Sequence, residues 1–144
     1  MASLELFGFE DLNDAFNRIA DIPWSVTEEA LDAMADVAAE EIKREGEARN
    51  IRDPESSVHI LDRISKAKAK QFASGGSKMI TFKGTRTRNG IRTRNAEIAF
   101  VNEYGKRGQP ARPFIGTAME KAAEKITAPA ERIVGDWIEK EFKK

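Results

Sequence analysis

The chain has 144 residues, of which 24 are basic and 24 acidic, so its net charge at pH 7 is zero. This length predicts a single domain, spanning residues 1–144, that can bury a core without covalent crosslinks. The absence of cysteine excludes disulfides, thiolate catalysis and cysteine metal sites. We find no apolar run of membrane-spanning length and no signal segment, so we expect no membrane association and no secretion by the usual signal.

The neutral total hides a separation of charge along the chain. Residues 1–48 carry 13 acidic and three basic residues, whereas residues 62–112 carry 13 basic and three acidic residues. Two interpretations stay open. The molecule is either a dipole that stacks head to tail or meets oppositely charged partners, or its two halves pair within one fold.

Two helices are predicted in the first third of the chain. Apolar residues at helical spacing predict a short helix over 9–20, closed by Asp21-Ile22-Pro23. Ser25 and Glu28 have the spacing of a capping box and predict the start of a second helix, which extends to about residue 48. The apolar stripe of this second helix is Val26, Ala30, Met34, Val37, Ala38 and Ile42.

The pattern changes to strand in the middle of the chain. Residues 58–64 have a mixed periodicity that fits either a helical turn or a strand. Residues 74–77 are rich in glycine and serine and are typical of a flexible connector. Apolar residues then predict two strands, over 79–82 and 96–101.

These two strands flank Asn89-Gly90, a strong signal for a two-residue hairpin turn. Such a turn pairs Phe82 with Glu97, which places the apolar side chains of the two strands on opposite faces. The conflict predicts a bulge at Gly84 or a loop longer than two residues.

A long C-terminal helix follows a short loop braced by proline. Pro113 suits the first position of this helix, and Pro129 predicts a kink or break near 125–129. The order of elements predicts an α+β fold. Its antiparallel sheet is built on the β-hairpin and is packed by the long helix of the N-terminal half and the long C-terminal helix.

The hairpin tip, residues 84–95, is predicted to be a mobile basic arm, since Ile91 is its only apolar residue. Guanidinium groups on one side of a strand can bind phosphates or carboxylates. The alternative is a solvated loop whose charge prevents edge pairing of the sheet. The candidate partner-binding residues are Lys83, Arg86, Arg88, Arg92, Arg94 and, in the later loop, Arg112.

Catalysis has little support in the sequence. His59 is the only histidine, and we find no glycine-rich phosphate loop. The carboxylates of the second helix have the spacing of a solvated face, so no metal is predicted. We therefore predict no catalytic residue, no cofactor and no metal, and expect a binding protein rather than an enzyme. The arm has no aromatic residue for base stacking, so sequence-specific recognition of nucleic acid is not expected.

The most informative segment runs from Ala96 to Met119. Gly105 can take the positive φ that a sharp exit requires, and Pro113 favours an extended Arg112. The segment resembles the signature of the small tail-component family of long-tailed phages, the gene-product-ten type, related to tail-completion and head-to-tail joining proteins. The matching residues are Val101, Glu103, Tyr104, Gly105, Pro110, Ala111, Arg112, Pro113, Phe114 and Ala118.

The resemblance implies a structural virion-assembly protein of a phage or prophage. It would act in tail completion or head–tail joining at the neck, with connector, portal-side and tail proteins as partners and with other copies in a ring. The expected location is the virion, and the cytoplasm of the host bacterium during assembly. The rival hypothesis is a small nucleic-acid-binding module that uses the basic arm. For Arg112 two roles stay open, contact with a partner or an ion pair with Glu103.

Overall fold

The computed structural model describes residues 22–51, 59–73 and 75–143, and the helix predicted over 9–20 lies outside them. The α+β class is confirmed. The helices are α1 (Trp24–Ala48), a 3₁₀ helix (Ile60–Arg63), α2 (Asn95–Tyr104), α3 (Ile115–Lys121) and α4 (Ala123–Phe142). The strands are β1 (Ile64–Lys66), β2 (Lys70–Phe72), β3 (Gly75–Ser77), β4 (Ile80–Phe82), β5 (Thr85–Arg88) and β6 (Ile91–Arg94).

The described strands form three separate two-stranded antiparallel ladders, which pair β1 with β4, β2 with β3 and β5 with β6. For residues 58–64 the sequence allowed a helical turn or a strand. The described residues of this stretch form a 3₁₀ turn over Ile60–Arg63, and strand β1 begins at Ile64. The connector predicted over 74–77 is wrong for 75–77, which form β3. Gly76 of β3 is buried against the Trp24 ring. A Cβ at this position would lie only 2.6 Å from that ring, so the packing requires glycine.

The predicted stripe of α1 is confirmed, since its members are buried or half-buried. The predicted capping box is wrong. The helix begins at Trp24 with Pro23 at its N-cap, so Ser25 lies inside the first turn. The Pro23 carbonyl accepts hydrogen bonds from the backbone N–H groups of Val26 (3.0 Å) and Thr27 (3.2 Å) and starts the helix without a side-chain cap.

Acidic residues of α1 pair with basic residues from later in the chain. Of the two interpretations of the charge separation, pairing of the acidic and basic halves within one fold holds for Asp36 with Lys66 and for Asp32 with Lys78. The ion pairs that tie α1 to other elements are Asp32–Lys78, Asp36–Lys66, Lys43–Asp62, Glu41–Lys125 and Glu45–Lys121.

Two of these carboxylates make stability depend on pH. The hydrogen bond from Lys125 lowers the pKa of Glu41, and the one from Arg49 lowers the pKa of Glu45, below the ordinary 4.5. A depressed carboxyl pKa contributes stability above the ordinary value, and this stability is lost as pH falls through the folded pKa. We expect the melting temperature to fall as the pH is lowered through and below the ordinary carboxyl pKa of 4.5. The fall should be smaller in the double variant Glu41→Gln/Glu45→Gln, measured by circular dichroism, and equal falls would contradict this role.

Residues 96–101 belong to helix α2, so the strand predicted there is wrong. The buried positions are Asn95, Ala99 and Asn102, which follow helical spacing. Two of these three residues are polar, and the apolar Ile98 and Phe100 alternate as they would in a strand. The Asn95 side chain donates to the Lys83 carbonyl (3.0 Å), which explains how an amide is buried at this position.

The Asn89-Gly90 turn is confirmed. Both residues have positive φ, 52° and 76°, as a two-residue hairpin turn of the I′ kind requires. The ladder runs only from Arg88↔Ile91 to Thr85↔Arg94, and β4 pairs with β1 instead. The register conflict therefore disappears without a bulge, because residues 96–101 are not a strand. Gly84 has φ 84° and joins β4 to β5.

The C-terminal helical segment is divided, but not where proline predicts. The division between α3 and α4 lies at Ala122, whose φ of −106° and ψ of 16° depart from helical values. Pro129 lies inside α4, so the helix does not break at 125–129, and a kink there stays a prediction. The carbonyl that loses its partner belongs to Lys125, an exposed residue, so water can replace the missing donor.

Phe114 lies at the centre of the larger core cluster and is 0% exposed. Its ring meets the edge of the Phe82 ring, with centroids 6.0 Å apart. Gly46 allows Leu61 and Phe114 to pack close to α1. A Cβ at this position would lie 2.5 Å from Leu61 Cδ2 and 3.2 Å from the Phe114 ring. The core thus fixes the point at which the loop after α2 enters α3.

Candidate functional site

The carboxylate of Glu103 connects α2 to the start of α3. Its Oε2 accepts hydrogen bonds from the backbone N–H groups of Phe114 (2.9 Å) and Ile115 (2.8 Å), and its Oε1 accepts one from Gly116 (2.9 Å). The first N–H groups of a helix have no partner within the helix and favour a negative charge. Glu103 therefore holds two elements together.

The loop between these helices is a tight turn. Gly105 has φ 78° and ψ 173°, a region used almost only by glycine, so the predicted positive φ is confirmed. A Cβ at Gly105 would lie 2.8 Å from the Ala111 backbone nitrogen. Lys106 and Gln109 exchange two backbone hydrogen bonds of 2.9 Å. The loop is thus fixed by backbone contacts.

Arg112 ties the same loop to the ends of α1 and α2. Its guanidinium donates to Asn102 Oδ1 (2.8 Å) and to the Asn50 carbonyl (3.2 Å). Its backbone N–H donates to the Asn102 carbonyl (2.6 Å). The sequence left open an ion pair with Glu103, but the Glu103 carboxylate instead accepts from the N–H groups at the start of α3.

The remaining motif residues include two core residues, Phe114 and Ala118, and a surface group. Phe114 is buried, whereas Tyr104 is 69% exposed. The Tyr104 ring packs at a tilt against the ring of Phe100, which is also exposed, with ring centroids 4.8 Å apart. Pro110, Ala111 and Pro113 are exposed as well. Tyr104 therefore belongs to the surface of this corner and not to the core.

The β5–β6 hairpin distributes its arginines over two faces. Because side chains alternate along a strand, cross-strand partners share a face. One face carries Arg86, Arg88, Ile91 and Thr93, and the other carries Thr85, Thr87, Arg92 and Arg94. On the second face, Arg92 donates to Thr85 Oγ1 (3.1 Å) and Arg94 donates to Glu97 Oε1 (2.8 and 3.0 Å).

A cleft of about 490 Å³ lies between the first face of the hairpin, α2 and the 105–112 loop. We call it the basic cleft. Among the described residues, its charged lining residues are Arg86, Arg88, Lys106, Arg112 and Glu97. Its apolar lining residues are Ile51, Ile60, Ile91, Ile98 and Val101. Four cations beside an apolar floor suit a ligand that carries both carboxylates or phosphates and an apolar group.

The basic cleft gathers only part of the residue set predicted from sequence. Arg86, Arg88 and Arg112 line it, whereas Arg92 and Arg94 lie on the other face of the hairpin. Lys83 follows β4 and is exposed. Lys106 and the apolar floor were not predicted, and the floor in particular joins residues from three separate parts of the chain. Partner binding by all these residues stays a prediction.

Neither a metal-ligand cluster nor a membrane-spanning helix is found in the described part of the chain. Within it, no group of three or more His, Asp or Glu side chains could hold a metal ion. No helix in residues 22–51, 59–73 or 75–143 has the length and hydropathy to cross a membrane. The His59 Nδ1 atom is buried and lacks a hydrogen-bond partner among the described residues.

Comparisons with known proteins do not identify the chain. No family model matches it, and neither a curated protein nor a solved structure matches it. The resemblance to the phage tail-component family therefore rests on the motif residues and stays a prediction.

Proposed function

We propose that this chain is a structural virion-assembly protein of a phage or prophage, acting in tail completion or head–tail joining at the neck. Its activity is binding, through ring assembly and docking, and not catalysis. The basic cleft carries this proposal, because one of its walls is the loop whose residues match the tail-component signature.

The contacts of the loop support a docking role. Glu103 and Gly105 set its path, and Arg112 anchors it to α1 and α2. A surface held in its binding conformation loses little entropy when a partner binds. The partners of this proposal are connector, portal-side and tail proteins and further copies of the chain, in the virion and in the host cytoplasm during assembly.

A second candidate function is nucleic-acid binding, which the arginines on both faces of the hairpin favour. Binding of this kind releases counterions, so affinity falls steeply with salt. We would measure duplex and single-stranded DNA binding by fluorescence anisotropy between about 50 and about 200 mM salt. A steep fall from tight binding would favour this candidate, and no binding near about 150 mM salt would favour assembly.

Replacing the four arm arginines, Arg86, Arg88, Arg92 and Arg94, by serine is expected to block joining of heads to tails while the fold is retained. Exposed charges usually contribute less than about 1 kcal/mol each to stability, whereas a docking surface loses its charge-assisted hydrogen bonds. Infectious yield, and free heads and tails counted by electron microscopy, would measure joining. The melting temperature would measure folding.

The matched control replaces four exposed basic residues elsewhere, Lys68, Lys70, Arg132 and Lys140, and should leave the yield unchanged. Two double variants then separate the faces, Arg86→Ser/Arg88→Ser on the cleft face and Arg92→Ser/Arg94→Ser on the other. A normal yield from the fourfold variant would contradict the docking role.

A further inference from the structure

We infer that Asn89 is a site of spontaneous deamidation in the folded chain, and that this modification makes the tip of the β5–β6 hairpin acidic and less ordered. The reaction is an intramolecular hydrolysis of the side-chain amide, with water as the co-reactant. It needs neither an enzyme nor a bound ligand. The inference therefore goes beyond the proposed function and does not depend on it.

The reaction begins at the backbone nitrogen of Gly90, which attacks the side-chain Cγ of Asn89 after base removes its proton. A bond forms between this nitrogen and Cγ, the bond between Cγ and Nδ2 breaks, and the amide group leaves as ammonia. The product is a cyclic imide, a succinimide. Water then opens the ring at either carbonyl and leaves aspartate or isoaspartate, so the chain exchanges an amide for a carboxylate without oxidation or reduction.

The residue after the asparagine decides how readily the ring closes. Ring closure is an intramolecular attack, so its rate depends on how closely the nitrogen can approach Cγ. A side chain on the following residue crowds that nitrogen, whereas glycine has no Cβ. Asn89 is the only asparagine of the chain that is followed by glycine.

The structure of the turn leaves both reacting groups accessible. Asn89 and Gly90 are exposed, and a Cβ at Gly90 would meet no atom within 4 Å. The hydrogen bonds found in residues 22–51, 59–73 and 75–143 include none from the Gly90 N–H group, since the ladder ends at the pair Arg88↔Ile91. The nitrogen can therefore turn towards the side chain without breaking a contact of the fold.

The other described asparagines are held in geometries that oppose the reaction. Asn95 and Asn102 are buried, and each side-chain amide donates to a backbone carbonyl (3.0 and 2.9 Å). Asn50 is exposed and has a positive φ of 57°, as Asn89 does. The nitrogen that would attack it, however, belongs to the buried Ile51 and donates to the Gly46 carbonyl (2.9 Å). These asparagines are internal references within one molecule.

Both products change the tip of the hairpin. Each adds a carboxylate at a position that lines the basic cleft. Isoaspartate also routes the main chain through the former side chain, which lengthens the backbone of the turn. A two-residue turn of the I′ kind matches the twist of the strands it joins. We therefore expect the ladder to loosen from the pair Arg88↔Ile91.

The direct test incubates the folded full chain at mildly alkaline pH and follows each asparagine by peptide mapping and mass spectrometry. We expect Asn89 to convert several times faster than Asn50, Asn95 and Asn102. Its rate should rise with pH, because base removes the proton of the attacking nitrogen. A methyltransferase specific for isoaspartate would label one of the two products. A rate for Asn89 no greater than that for Asn50 would overturn the inference.

Asn89→Gly is the matched control, because glycine accepts the positive φ of the turn and carries no side-chain amide. Ion-exchange chromatography separates the products by their added negative charge. On incubation the parent chain should accumulate acidic species, and the variant should accumulate far fewer. Equal accumulation at equal melting temperatures would mean that another residue is modified, and would overturn the inference.

Hydrogen exchange tests the effect on the hairpin. In the purified isoaspartate form we expect faster exchange over residues 85–94 than in the fresh chain, with unchanged exchange in α1, because only the turn is altered. Unchanged exchange over 85–94 would contradict the loosening of the turn.

Discussion

Replacing Phe114 by alanine is expected to lower the free energy of unfolding by about 3 to 5 kcal/mol, more than any substitution in the hairpin. Phe114 has no exposed surface, and its ring packs against Phe82. The wall opposite is the backbone of α1 at Gly46, where a Cβ would lie 3.2 Å from the ring, and a helix backbone cannot move into the vacated space as a flexible side chain can. The substitution therefore leaves a cavity.

Such a loss is large beside a total stability of about 5 to 15 kcal/mol. Chemical denaturation followed by circular dichroism would measure it. Phe100→Ala is the matched control, because Phe100 is 62% exposed and lies on the neighbouring helix. A surface substitution of this kind should change stability by about 0.5 kcal/mol or less, apart from its contact with Tyr104. An equal or larger loss for Phe100→Ala would show that the core is wrongly placed.

The two long helices were predictable because apolar residues recur at helical spacing along most of their length. In α1 the stripe from Ala30 to Ile42 is apolar at nearly every inward position. This pattern predicts the helix even though the predicted capping box is wrong. The Asn89-Gly90 turn was predictable for a local reason as well, since both residues tolerate positive φ. Helices and turns that are determined by residues close in the sequence can therefore be predicted from it.

Helix α2 was missed because its inward face is partly polar. Asn95 and Asn102 are buried, and the second amide is held by Arg112, ten residues later. Hydropathy therefore shows only Ile98 and Phe100, whose spacing of two indicates a strand. A buried amide becomes intelligible only when its hydrogen-bond partner is known, and here that partner belongs to a different element.

The candidate site was half predictable for a related reason. Strand alternation could have divided the four arm arginines into two faces, once the hairpin register was known. The apolar floor could not have been predicted, because Ile51, Ile60 and Val101 meet only through the packing of α1, the 3₁₀ helix and α2. The role of Glu103 as a cap for α3 likewise depends on a contact across the loop.

The motif residues with defined contacts serve mainly to shape the corner between α2 and α3. Glu103, Gly105 and Arg112 fix the path of the loop, and Phe114 anchors its far end in the core. In the proposed function the signature thus specifies a rigid wall, while the hairpin arginines and the cleft floor select what binds. If the loop is a rigid wall, substitutions in it should lower the stability of the fold more directly than they change which partner binds.

Gly105→Ala tests that division and is expected to lower the free energy of unfolding by about 2 to 5 kcal/mol. Two costs add. The backbone of Gly105 occupies a region that alanine adopts only with strain of about 1 to 3 kcal/mol. The new Cβ would also lie 2.8 Å from the Ala111 backbone nitrogen, and a backbone atom cannot rotate away as a flexible side chain can.

Gly108→Ala separates these two costs within the same loop. Gly108 has a similar φ of 83°, but a Cβ there would meet no atom within 4 Å. It should therefore lose only the strain of positive φ, about 1 to 2 kcal/mol, so the excess loss at Gly105 measures the clash together with the added strain of its ψ of 173°. Equal losses in chemical denaturation would mean that the loop moves away from Ala111 at little cost. The wall of the basic cleft would then be pliable, and its docking partner would have to order it.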